Sequence, residues 1–390
     1  MGLFAKKTTP EPVPLAAPPS RPAPGISTGD RGAFAPIGDL LRLAVDSEAS
    51  DIHLSVGSPP TFRIHGVLVR LETRALFAED TDNFARDIAN GTQIHALTTE
   101  GSVDFAMTHD GRDRFRISLY KQKGTTAMAM RLLPKRMLSL EEIGLPPIAS
   151  ELIRMPRGMV LVTGPTGSGK TTTLAAMLNS INVNLGDHIV TIEDPVEYVH
   201  EHQSGMIHQR EVGVDVPSFP EGLRRALRQD PDVILVGEMR DLETMETAIR
   251  AAETGHLVFS TLHTTGAGRT VDRIVDSFPA HQQEQIRVQL STNLKAVISQ
   301  LLVPRIDRPG RIAVFEIMVN THAVAALIRD NKTFRIATEI QTGSKVGMVT
   351  IEQSLVDLYL AGIIARDEVF SKAQDPELAA QLLAGREARR

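Results

Sequence analysis

The chain has 390 residues, a formal net charge of −5 and no cysteine. That length allows two or more domains with full cores, and the lack of cysteine excludes disulfides, thiolate zinc sites and thiol catalysis. The slight acidity excludes a global basic field for nucleic acid or anionic membrane.

Residues 1–33 carry prolines at 10, 12, 14, 18, 19, 22 and 24, which forbid regular hydrogen bonding and predict a disordered Pro-rich tail. The N-terminus has no apolar signal core, so a cytoplasmic location is expected. No apolar run reaches the roughly 20 residues of a bilayer span, so no direct membrane insertion is expected. With no Trp and three Tyr, stacking platforms for nucleic acid are scarce, and nucleic acid is not expected as a partner.

From Ile37 the pattern turns globular. Residues 37–45 read as an amphipathic helix. Alternating stretches follow at 51–56, 61–69, 103–107, 114–120 and 125–133. Period-two alternation buries one face of each strand, which predicts a small α+β domain over 34–134 built on an antiparallel sheet. His53 and His65 fall on the polar positions, where surface roles outweigh a metal site. Residues 135–157 read as a linker with a short helix.

A second domain is expected over 158–390. Its strands, at 159–163, 188–192, 233–236 and 257–261, are apolar on both faces and alternate with helices. That is the signature of a parallel sheet covered on both sides, and so of an α/β fold. Helices are expected at about 281–302, 321–329, 350–361 and 366–373.

The first of these strands opens onto Gly164-Pro165-Thr166-Gly167-Ser168-Gly169-Lys170-Thr171, followed by Thr172 and a helical run. Strand, glycine loop and helix start are the context of a phosphate-binding P-loop. Glycine turns aim several N–H groups at one anion, and the helix N-terminus adds its dipole. Lys170 reaches the outer phosphates of a nucleoside triphosphate, and the Thr171 hydroxyl can ligate Mg²⁺.

Ligands of parallel sheets bind beyond the carboxyl ends of the strands. The second strand runs into Glu193-Asp194-Pro195-Val196-Glu197, the third into Gly237-Glu238-Met239-Arg240-Asp241, and the fourth into Leu262-His263-Thr264-Thr265. Phosphoryl transfer to water needs a metal, a group that orients the water, and positive charge on the developing anion. Glu238, ending a Walker B-like strand, is the first candidate for the base. Glu193 is the second, as base or as a water-mediated Mg²⁺ ligand, and the two roles are exchangeable on sequence grounds. Asp194 precedes a proline and reads as a turn residue.

His263 stands where it can bond a γ-phosphate. His256 lies seven residues earlier, roughly 23 Å away at about 3.3 Å per strand residue, and reads as structural or as a subunit contact. Arg224, Arg225 and Arg228 share a helix and read as surface. Arg112, Arg114, Arg116 and Arg131 are denser than a half-buried sheet needs, and Arg114 and Arg116 share a face. The residues alone leave an arginine-finger role and a surface role equally open for them.

Four segments together, 164–171, 191–197, 230–241 and 253–265, resemble the Walker A, Asp box, Walker B and His box of the secretion ATPase superfamily. Within it the chain resembles the type IV pilus retraction ATPases, the PilT family, from about Ser50 to Ala380. The matching stretches include Ser50-Asp51-Ile52-His53-Leu54, Phe115-Arg116-Ile117 and Ile340-Gln341-Thr342-Gly343. Thr171 stands where Ser is more usual, which keeps the hydroxyl. The resemblance implies a PAS-like N-terminal domain followed by a RecA-like P-loop ATPase domain with C-terminal helices. It implies a homohexamer that hydrolyses ATP with Mg²⁺ to disassemble pili, acting with a platform protein at the cytoplasmic face of the inner membrane. It also implies that Arg114, Arg116 and Arg131 complete the ATP site. Two other readings stand beside it. One is an extension or type II secretion ATPase, whose usual four-cysteine zinc motif is missing here. The other is a low-turnover regulator of a paralogous motor, against which the intact set Lys170, Thr171, Glu193, Glu238 and His263 counts. A nucleic-acid translocase is weaker still, given the acidic balance.

Overall fold

The computed structural model describes residues 34–388, so the expected tail at 1–33 lies outside the described residues. The chain divides between Leu132 and Leu133 into two compact units.

The first unit runs α1 (Ile37–Asp46), β1 (Ala49–Leu54), β2 (Thr61–Ile64), β3 (Val67–Arg70), α2 (Ala78–Ile88), α3 (Gly91–Thr99), β4 (Ser102–His109), β5 (Asp113–Gln122) and β6 (Thr125–Leu132). Its six strands form one sheet in the order β3-β2-β1-β6-β5-β4, antiparallel at every pairing. Ile52, Phe115, Ile117, Leu119, Met128 and Met130 bury one face beneath Leu40 and Leu41 of α1, Phe84 of α2 and Leu97 of α3. The antiparallel α+β expectation is met.

Two details differ from the sequence reading. The single strand expected over 61–69 breaks into the β2–β3 hairpin, because His65 (φ 49°) and Gly66 (φ 84°) form the turn, the pair of positive φ values that matches strand twist. His65 is therefore a turn residue rather than a strand position. Helices α2 and α3 were not expected, since α2 buries only Asp80, Thr81, Phe84 and Ala85 and leaves a faint apolar stripe. Local chemistry starts it instead: Asp80 accepts from the Phe77 N–H at 2.7 Å and holds Arg74 through two bonds, of 2.7 and 2.8 Å.

The second unit contains α4 (Ala149–Leu152), β7 (Gly158–Thr163), α5 (Lys170–Asn184), β8 (His188–Glu193), β9 (Met206–Glu211), α6 (Phe219–Ala226), β10 (Val233–Val236), α7 (Leu242–Glu253), β11 (Leu257–Leu262), α8 (Ala267–Asp276), α9 (Gln283–Asn293), β12 (Leu294–Pro304), β13 (Arg311–Val319), α10 (His322–Arg329), α11 (Ile336–Thr342), α12 (Ile351–Leu360), α13 (Arg366–Lys372) and α14 (Pro376–Glu387). The sheet order is β13-β12-β7-β11-β10-β8-β9. All neighbours are parallel except β12 with β13. Side chains alternate between two cores: Met159 and Leu161 of β7 enter one, Val160 and Val162 the other with Leu174 and Leu178 of α5. A strand buried on both faces is what the apolar runs imply.

The helix expected over 281–302 ends at Asn293, and Leu294–Pro304 is strand β12. An apolar run buried on both faces has no period that separates helix from strand. Strand β9 was missed because it is an edge strand broken by His208, Gln209 and Arg210, whereas β13, buried over 314–318, carries the same ambiguity as β12. The stretch expected as a linker at 135–157 packs into this unit, with Leu140, Ile143, Leu145, Leu152 and Ile153 in its core. Helices α12 to α14 gather around Val303 and Val314 in a separate cluster.

Candidate nucleotide site

The P-loop leaves β7 at Thr163 and enters α5 at Lys170. Two of its glycines are required by close approach as well as by conformation. A Cβ on Gly164 (φ 142°) would lie 2.3 Å from the Gln300 carbonyl oxygen, and one on Gly169 (φ 91°) would lie 2.8 Å from Gln300 Nε2. The loop is thus pressed against β12. Gly169 caps α5 with no side-chain acceptor, so the first-turn amides remain available to an anion. Lys170 is buried, and its Nζ donates to the carbonyls of Gly164 at 2.8 Å and Pro165 at 3.2 Å. Burial pulls its pKa down, while the charges of Glu238 and Glu197 oppose that. Pro165, Thr166 and Gly167 are exposed, and Ser168 is buried with an unpaired Oγ.

Strand register brings the other candidates to the same edge. Thr163 pairs with Leu262, Val236 with Ser260, and Val236 with Ile192, so β7, β11, β10 and β8 end nearly level. Glu238 follows β10. Its Oε1 lies 3.1 Å from His263 Nε2, and its Oε2 accepts from Arg240 Nη2 at 2.8 Å. Burial raises its proton affinity, but the Arg240 bond and the charges of Arg240, His263 and Lys170 outweigh it and hold the carboxyl below its usual range. Glu193 ends β8 almost fully buried, accepting from Thr191 Oγ1 at 2.6 Å and Gln209 Nε2 at 3.2 Å. Burial pushes its pKa up to about 7 despite those two bonds.

Glu238, Arg240 and His263 are therefore in contact, within reach of the Lys170 charge, with Glu193 at the adjacent strand end. Thr172 bonds Tyr198 (Oγ1 to OH, 3.0 Å) rather than facing the loop freely. His256 Nδ1 lies 3.0 Å from the Ala251 carbonyl at the end of α7. Arg224 is engaged by Glu221 and Glu243, and Arg225 by Glu221, surface pairs of small energetic weight. In the first unit, Arg116 and Arg131 are cross-strand partners, with Arg114 two residues along the same face. Arg131 is 68% exposed and pairs with Asp51 at 2.9 Å. Arg114 Nη1 lies 3.4 Å from Thr108 Oγ1.

Several site residues escaped the sequence reading. Arg240 is the cation on Glu238, a role the sequence reading did not give it; its place two residues after Glu238 was the available signal. Gln209 holds Glu193 and also donates to the Tyr198 carbonyl at 2.8 Å. It sits on the missed strand β9, and Ser299 and Gln300 sit on the misread strand β12.

The group suits a nucleoside triphosphate with a divalent cation. A loop in which Gly164 and Gly169 have no room for a side chain offers its backbone amides to phosphates, and a buried ammonium stands beside it. A buried carboxylate at about 7 is one whose charge a cation would relieve. No helix among the described residues is long and apolar enough to cross a membrane.

Comparison with known proteins agrees in extent. Residues 34–369 match the family described as type II/IV secretion system protein. The protein named type IV pilus retractation ATPase PilT of Pseudomonas aeruginosa is 45% identical over 341 residues, covering 87% of this chain and 99% of that protein. The twitching motility protein of Neisseria gonorrhoeae is 48% identical over 318 residues, covering 82% and 85%. The crystal structure of the pilus retraction motor PilT with bound ADP has a TM-score of 0.82 at 43% identity, covering 88% and 98%.

Proposed function

Because the chain belongs to the type II/IV secretion system protein family, we propose that it is an ATP-hydrolysing motor that retracts type IV pili. The observation that carries the chemistry is the contact of Glu238 with Arg240 and His263 beside the P-loop, within reach of the Lys170 charge. The retraction branch rests on relatives named for retraction and twitching that cover 87% and 82% of this chain.

In this reading the loop amides and Lys170 bind the phosphates, and Glu238 orients the attacking water and takes its proton. A carboxylate kept ionised by Arg240 is ready to accept, and His263 at 3.1 Å fixes its orientation. Glu193, with a pKa near the operating pH, is the acceptor in the exchanged assignment. The Thr171 hydroxyl, with Glu193 through water, would hold Mg²⁺, which supplies charge neutralisation for the phosphates. Arg114, Arg116 and Arg131 of a second copy add positive charge in an assembled ring, a homohexamer. The motor acts at the cytoplasmic face of the inner membrane against a platform protein. The two domains are a PAS-like unit and a RecA-like unit.

The test pairs two variants. Lys170→Ala is expected to abolish ATP binding, and Glu238→Gln to bind ATP with turnover lost by about 100-fold or more. Wild-type affinity in the first refutes the P-loop assignment, and wild-type turnover in the second moves the base to Glu193. In cells, Glu238→Gln should leave non-motile bacteria with excess surface pili. Bald cells would instead mark an extension motor, and normal motility a regulator.

A further inference from the structure

Strand β12 meets the phosphate loop through one buried amide. Ser299 lies in register with Thr163, the last residue of β7, which sets Gln300 directly against the loop that follows. Gln300 Nε2 donates to the Ser168 carbonyl at 2.7 Å, and its Oε1 accepts from Thr173 Oγ1 at 2.7 Å. Its own backbone carbonyl is the atom that a Cβ on Gly164 would strike, and its Nε2 the atom that a Cβ on Gly169 would strike. One residue therefore touches the start of the loop at Gly164, its middle at Ser168, its end at Gly169, and the first turn of α5 at Thr173.

A polar side chain 3% exposed in a strand that also buries Val297 and Ile298 wholly carries a desolvation cost that a Leu or Met would avoid. Its donor and acceptor ends are not interchangeable. The Ser168 carbonyl can only accept, so the amide orientation is dictated and both ends are satisfied. The fold of the sheet does not need an amide here, whereas the loop does.

We infer that Gln300 is a positioning residue for nucleotide binding, setting the loop path that turns the amides of residues 167–170 toward the phosphates. This rests on the ATP-hydrolysing reading above. Those amides would meet substrate and product phosphates alike, so losing the tether weakens binding of both and spares the chemical step.

The experiment uses the full chain and measures kcat and KM for ATP by phosphate release, Kd for ADP by calorimetry, and the unfolding midpoint. Gln300→Met keeps the volume and removes both bonds. Its KM for ATP and Kd for ADP should rise together by about tenfold, roughly the worth of one net hydrogen bond, with kcat changed far less. Gln300→Glu, which cannot donate to Ser168 and brings negative charge to the loop, should weaken both further. Ser354→Ala, which loses a 2.6 Å bond to the Phe315 carbonyl away from the loop, should lower the midpoint and leave KM and Kd unchanged. If Gln300→Met does not fold, Thr173→Val frees the same amide from its other end and must shift Kd in the same direction. Wild-type KM and Kd in Gln300→Met, or in Thr173→Val in its place, overturn the inference whatever the stability. A wild-type chain that binds no nucleotide refutes the ATPase reading instead.

Discussion

Glu193 and Glu238 follow neighbouring parallel strands, yet their surroundings pull their proton affinities apart. Glu238 keeps an arginine and a histidine at contact distance and stays ionised. Glu193 accepts from two neutral donors, Thr191 and Gln209, and burial, with the charges of Glu197 and Glu211 added, wins. The raised pKa of Glu193 has a consequence for folding. Its value, about 7, exceeds the 4.5 of an unburied glutamate, so the folded state prefers the neutral form. The stability it confers is full below about pH 4.5, declines as pH rises toward 7, and is lost above that. Glu193→Gln is neutral throughout. In metal-free protein, the variant should match wild type at pH 4.5 and exceed it at pH 8 by on the order of 3 kcal/mol, at about 1.4 kcal/mol per pKa unit. Denaturant unfolding at the two pH values measures this, and an equal difference at both would show that Glu193 is not held neutral.

At the scale of elements, the P-loop is defined as much by the strand beside it as by its own motif. Gly164 has φ 142° and no room for a methyl group against the Gln300 carbonyl. Gly164→Ala should displace the loop, cost about 1–3 kcal/mol of stability and abolish nucleotide binding. Gly186, with open space around it and no positive φ, accepts Ala with neither effect. Unfolding midpoints and ADP titration of both variants decide the matter, and retained binding in Gly164→Ala would show that β12 does not confine the loop. Most of this was legible in the motif and the strand before it. The neighbour was not: β12 reads as helix because an apolar run buried on both faces has no distinguishing period. Gln300 and Ser299 were lost with it.

For the whole molecule, the open face of the first unit's sheet gathers Arg114, Arg116 and Arg131. Like charges placed side by side repel, and one aspartate, Asp51, pairs with Arg131. With Arg131 exposed and Asp51 keeping Ser50 and Arg63 as partners, this pair adds at most about 1 kcal/mol. Arg131→Ala should therefore leave the unfolding midpoint nearly unchanged while lowering ATP turnover of the assembled ring. Unchanged specific activity, measured with the oligomeric state checked, would remove that arginine from the site.

The sequence by itself determined the two-unit plan, the antiparallel and parallel sheets, the P-loop, and the edge at which Glu193, Glu238 and His263 collect. Those follow from local chemistry: glycine spacing, period-two alternation, and apolar runs that end in polar groups. Only the tertiary structure decided what each group faces. That Gln209 holds Glu193 and that Gln300 braces the loop depend on strands paired across up to 136 residues of chain. Side-chain contact at that separation is set by sheet order, and sheet order is written in packing rather than in any local pattern.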